Sequence, residues 1–136
     1  MLGRDGLLEG LAAGAVYIDL SSNSPAKVRA LHATLAGEGI HMLDAPVSGG
    51  VGGARSGRLV IMTGGERQTF ERVKEVLDAI GDHVVYCGEI GTGSICKLVH
   101  NAISEISSQA ITELFTLGVK AGVEPLALWE AVRKGA

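Results

Sequence analysis

Aromatic rings and cysteine are scarce in this chain, and a surplus of positive charge is missing. Phe, Trp and Tyr make up 4% of the 136 residues, too few for the stacking platforms that bind single-stranded nucleic acid. The formal net charge is −3, and no basic stripe follows a phosphate backbone. The two cysteines, Cys87 and Cys96, make neither a disulfide framework nor a metal-spaced pair. A reduced, cytoplasmic setting is therefore the expectation. The four histidines, His32, His41, His83 and His100, lack ligand spacing, and no metal is expected. The longest run free of Asp, Glu, Lys and Arg is Ala45 to Ala54, glycine-rich and far short of a bilayer span. Met1-Leu2-Gly3-Arg4-Asp5 has no apolar signal core.

Present instead are a globular balance of 46% hydrophobic and 20% charged residues and 20 glycines gathered in clusters, the pattern of tight loops rather than of low complexity. The run 15–20 reads as a buried strand. Ser24-Pro25 opens a helix to about residue 37, with Val28, Leu31 and Leu35 at helical spacing. Ile40-His41-Met42-Leu43 is a second strand, and residues 44–53 leave it as a loop. Leu59 to Thr63 is a third strand, stopped by Gly64-Gly65; 66–80 is helical, and 84–87 is a fourth strand. Such alternation predicts an α/β fold with parallel strands. From Ser94 to about Ala121 there is no proline and only one glycine, which predicts a helix of roughly 28 residues, about 42 Å long. Its apolar residues spread over so much of the surface that burial on more than one side is expected. Gly122 ends it, and Glu124-Pro125 opens another helix.

Two segments carry chemistry. In Asp44-Ala45-Pro46-Val47-Ser48-Gly49-Gly50, the glycines let successive N–H groups converge on an anion, with the Ser48 hydroxyl as a further donor. The plain alternative is a structural loop. Asp44 is expected to fix that loop rather than act as a base. In Gly91-Thr92-Gly93-Ser94-Ile95-Cys96-Lys97-Leu98-Val99-His100-Asn101, Lys97 and Asn101 share a helix face. Lys97 lies near the helix start, where the positive end of the dipole disfavours an ammonium and suits the side chain to exchanging a proton. The alternative is a solvated lysine. His100 points to another side, as a packed or interface residue. Ser22, just past a strand end, either touches a ligand in the sheet-edge crevice or caps the next helix, with Ser24 as a second candidate cap.

The runs Ile18-Asp19-Leu20-Ser21-Ser22-Asn23-Ser24-Pro25, Asp44 to Gly50, Gly64-Gly65 and Gly91-Thr92-Gly93 with Lys97 and Asn101 resemble, in order and spacing, the β-hydroxyacid dehydrogenase family. The resemblance covers nearly the whole chain. It implies the C-terminal half of a Rossmann-type NAD(P)-binding domain over residues 1–89, then the long first helix and start of an all-α domain over 90–136. It also implies NAD(P)-dependent oxidoreduction of a β-hydroxyacid or its semialdehyde, of the 3-hydroxyisobutyrate or tartronate semialdehyde type. Lys97 would be the general acid/base; Ser48, Gly49, Gly50 and Asn101 would bind substrate, and Ser22 would bind NAD or NADP. The partner would be a small hydroxyacid substrate, with no nucleic acid and no membrane, and the full-length parent would be a homo-oligomer. The family opens with a Gly-x-Gly-x-x-Gly turn for the cofactor pyrophosphate, and none stands near Met1, so an internal fragment is expected. As alternatives, the chain is catalytically inert or serves as a non-catalytic binding or scaffold member of the fold. Lys97 and the lack of a basic tail speak against the scaffold branch.

Overall fold

The computed structural model describes residues 2–135. The chain divides into two compact units, one ending at Val99 and one beginning at His100. In the first unit a 3-10 turn (Leu7–Gly10) leads to β1 (Val16–Asp19), α1 (Pro25–Gly37), β2 (His41–Asp44), β3 (Val47–Ser48), α2 (Gly50–Ser56), β4 (Val60–Gly65), α3 (Arg67–Asp78) and β5 (His83–Gly88). The helix α4 runs Thr92–Lys120, and α5 runs Pro125–Gly135. Among the described residues no helix is long and apolar enough to cross a membrane.

The α/β character follows from alternating burial along the strands. In β2, Met42 packs with Val28, Leu35 and Ile40 on the α1 side. Its neighbour Leu43 packs with Ile61, Phe70 and Leu77 on the α3 side. Successive side chains of a strand point to opposite faces, so one strand serves both halves of the core. Each fully buried Leu contributes roughly 1.5–3 kcal/mol.

The sheet is not uniformly parallel. The pairs β1–β2 and β4–β5 are parallel, but β4 runs antiparallel to both β2 and β3. The cause lies in residues 44–53, which are not a plain loop. After β2 the chain passes through Ala45-Pro46 into β3 along the same edge of β4, with Pro46 O accepting from Met62 N–H at 3.0 Å. The short helix α2 then reverses the chain into β4 without the long crossover that a parallel return needs. Nor do Gly64 and Gly65 stop a strand: they are its last two residues, paired with Asp44 and Leu43.

In the second unit, Phe115 and Trp129 form a tilted ring pair, 6.2 Å between centroids, and Gly118 leaves room for Leu128. Gly122 ends α4 at φ 96°, as its position in the sequence requires. The expected burial of α4 on several sides is not found within this chain. Ile103, Ile106, Leu114 and Leu117 are 61–70% exposed. An apolar stripe records which face a helix can bury, and among the described residues these four side chains stay largely uncovered.

Candidate active site

One row of residues across the sheet organises the site. Asp19 on β1 pairs with Asp44 on β2, Asp44 with Gly64 on β4, and Gly64 with Gly88 on β5. Both acids are buried, and each is satisfied by backbone that leaves or approaches the row. Asp19 accepts from the Ser21 N–H at 3.0 Å, the Asn23 amide at 3.1 Å and the Ser21 hydroxyl. This folds the chain after β1 over the strand end, as an aspartate two residues before a serine favours. Ser22 stands exposed in that turn. Ser24 occupies the N-cap position of α1 but makes no side-chain capping bond, so the capping role expected of it is not made; Asp19 organises the segment instead.

Asp44 does not fix its own loop. It grips the start of α4, Oδ1 accepting from Gly91 N–H at 2.7 Å and Oδ2 from Ser94 N–H at 2.6 Å. Both are short, charge-assisted bonds. They satisfy helix N–H groups that have no intrahelical partner and set a negative group at the positive end of the dipole. The same Ile90–Gly91 peptide is held from its other side by Arg29, whose Nε donates to Ile90 O at 3.2 Å. No local signal announces Arg29, because its partner lies 61 residues away.

Glycine lets the helix come this close. A Cβ on Gly93 would run into Met62 O and lie 2.7 Å from Asp44 O. One on Gly64 would lie 2.6 Å from Asp44 Oδ1 and 2.8 Å from Gly93 N. Lys97 follows one helical turn after Gly93 and is half-buried, so a pinned segment carries it. Next to the row in sequence or contact, the hydroxyls of Thr63 and Ser94 are buried and find no hydrogen-bond partner among the described residues.

The second motif starts at Asp44 and runs away from this row along β4. Ser48 pairs with Val60 as the last residue of β3. Gly49 and Gly50 follow at φ 126° and 58°, conformations that L side chains rarely adopt. A Cβ on Gly49 would also meet Arg58 O and Leu59 at 3.2 Å. Both positions therefore call for glycine. Asn101 lies four residues after Lys97 on α4, within the second unit, and is exposed. Its Oδ1 is 3.4 Å from Nδ1 of His100. His100 is itself exposed rather than packed.

The structure thus draws together the end of β1 that precedes Ser22, the Asp44 carboxylate and the start of the helix that carries Lys97; Ser48 lies four residues away along β4, opposite Val60. For a dinucleotide the structure offers an exposed hydroxyl at the carboxyl edge of β1, where open α/β sheets seat ligands. The sequence contains no Gly-x-Gly-x-x-Gly turn, the pattern that seats a dinucleotide pyrophosphate.

Residues 1–88 match the family model of the NAD binding domain of 6-phosphogluconate dehydrogenase. The 3-hydroxyisobutyrate dehydrogenase of Pseudomonas aeruginosa is 38% identical over 133 residues, 98% of this chain and 45% of that protein. The 3-hydroxyisobutyrate dehydrogenase of Mycobacterium tuberculosis, solved with L-serine, superposes with a TM-score of 0.88 at 34% identity, over 95% of this chain and 44% of that one. Psf3, solved in complex with NADP+ and 2-OPP, gives 0.80 at 29% identity, over 92% of this chain and 44% of that one. The chain therefore spans less than half the length of these relatives. With the family model covering more than half of it and the acid–glycine row intact, the chain belongs to the β-hydroxyacid dehydrogenase family, with an NAD binding domain of the 6-phosphogluconate dehydrogenase type.

Proposed function

We propose that this chain supplies the proton-transfer and carboxylate-binding part of an NAD(P)-dependent dehydrogenase acting on a β-hydroxyacid or its semialdehyde. The observation that carries the reading is the Asp44 carboxylate: it joins the strand that leads to Ser48 with the helix that carries Lys97. The L-serine bound to the mycobacterial relative is itself a β-hydroxyacid, which supports the substrate class.

In this reading the N–H groups around Gly49 and Gly50 and the Ser48 hydroxyl hold the substrate carboxylate. Lys97, as the free amine, takes the hydroxyl proton during oxidation; as the ammonium it returns a proton to the carbonyl oxygen during reduction. Asn101 donates to a substrate oxygen. Ser22 lies on the cofactor side, and a bound NAD or NADP supplies or accepts the hydride. The full-length protein works as a homo-oligomer in the cytoplasm; the uncovered apolar stripe of α4 supports its self-association.

The test is Lys97→Ala in the chain together with any in-frame sequence that flanks it. With 3-hydroxyisobutyrate as substrate, kcat should fall by about 10²–10⁴, while the Kd for NADH or NADPH stays the same. Turnover within tenfold of the parent would remove Lys97 from the mechanism.

A second reading is that these 136 residues alone are inert, and the missing phosphate turn favours it. Fluorescence titration of the chain with NADH and NADPH should then show no saturation in the micromolar range. Saturable micromolar binding would overturn this second reading and leave the first in place.

A further inference from the structure

Cys87 and Cys96 have no part in the site above, yet they meet beside it. Cys87 is the penultimate residue of β5. The next residue, Gly88, packs toward α4: a Cβ there would lie 3.6 Å from both Oγ1 and Cγ2 of Thr92. Cys96 is one helical turn beyond Thr92 on the same face, so the end of β5 approaches the helix face that carries Cys96. The two thiols are within hydrogen-bonding reach of each other, and Cys87 Sγ also lies 3.6 Å from Val85 O. Cys87 is half-buried and Cys96 is exposed. Burial above all, then the neighbouring Cys96 thiol, pushes the Cys87 thiol up to about 12. Cys87 therefore stays protonated near neutral pH, and Cys96 is the sulfur that an oxidant in solution reaches first.

We propose that Cys87 and Cys96 are a peroxide-sensitive dithiol, closing into a reversible disulfide that ties β5 to the first turns of α4 next to Lys97. The Cys96 sulfur attacks one oxygen of hydrogen peroxide and breaks the O–O bond, giving a sulfenic acid and one water. The Cys87 sulfur then attacks the sulfenic sulfur, forms the S–S bond and expels the second water. In total the two thiols lose two electrons and two protons, and one peroxide becomes two waters. Reversible intramolecular pairing of this kind suits a reducing compartment, where disulfides are transient and sense oxidants. The inference goes beyond the hydroxyacid reading and does not rest on it, since it is read from sulfur chemistry alone.

The experiment treats the folded chain with hydrogen peroxide, blocks free thiols with iodoacetamide and digests with trypsin. Both cysteines fall in the one tryptic peptide 75–97, which holds no lysine or arginine before its last residue. After peroxide that peptide should be two hydrogens lighter and unalkylated; after dithiothreitol it should accept two alkyl groups. Closure should run at least about tenfold faster in the folded chain than in urea, because the fold brings the two sulfurs together. In Cys87→Ser, Cys96 should stop at a sulfenic acid that dimedone traps. The proposal is overturned if the peptide remains doubly alkylated after peroxide. Pairing between two copies of the peptide, oxygen addition without S–S formation, or equal rates in urea would overturn it as well.

Discussion

Asp44→Ala should cost the chain about 3–6 kcal/mol of stability, the sum of two charge-assisted hydrogen bonds at roughly 1.5–3 kcal/mol each. The carboxylate is 1% exposed, and its loss strands the N–H groups of Gly91 and Ser94 away from water. Against the roughly 5–15 kcal/mol of an ordinary domain, that is a large share of the whole. Asp44→Asn separates the hydrogen-bonding role from simple space filling. It keeps the volume but turns one acceptor into a donor facing another donor, and should cost about 1–3 kcal/mol. Urea midpoints of the three proteins, with the slopes compared, measure the series. A loss below about 1 kcal/mol for Asp44→Ala would mean that other contacts hold the start of α4.

Gly93→Ala should be comparably severe for a different reason. The added methyl would collide with Met62 O and crowd Asp44 O and Gly64 N, and all three are backbone atoms of the sheet. No side-chain rotation relieves such a clash, so either α4 lifts from the row or the strands separate. A cost of about 3 kcal/mol or more is expected. Gly52→Ala serves as the control: it sits in α2 with nothing within 4 Å of the new methyl. That change should be neutral or gain up to about 1 kcal/mol through the lower freedom of the unfolded chain. Equal urea midpoints for Gly93→Ala and the parent would show that the helix can stand further from the sheet without loss.

The two substitutions also show what could be read from the sequence. Elements with a strong period were legible: α1, α3, α4 and the apolar strands fall close to where their spacing puts them. Asp44 and Gly93 stood out as motif residues, yet their partnership did not, because a hydrogen bond spanning 47 residues leaves no local pattern. The window 44–53 hid β3 and α2, since glycine-rich sequence carries little hydrophobic period to count. The antiparallel turn of the sheet was lost with it. Gly64 and Gly65 were read as punctuation, the usual meaning of paired glycines. Here they are strand residues whose missing side chains admit Leu43 on one side and the start of α4 on the other. Arg29 gave no signal at all, being one more exposed charge on a helix until the fold brings Ile90 to it.

Because Asp44 holds both Gly91 and Ser94, it fixes the rotational phase of α4 as well as its position. Each residue of an α-helix advances by about 100° around the axis. Lys97 stands three residues beyond Ser94, so its bearing is counted from a carboxylate on the sheet and not from the helix's own ends. Inserting one residue between Ser94 and Lys97 would keep every helical bond and every contact of Asp44, yet swing the lysine about 100° around the axis. An insertion before Gly91 or far along the helix would leave that bearing unchanged. The two residues between grip and lysine, Ile95 and Cys96, must keep their number.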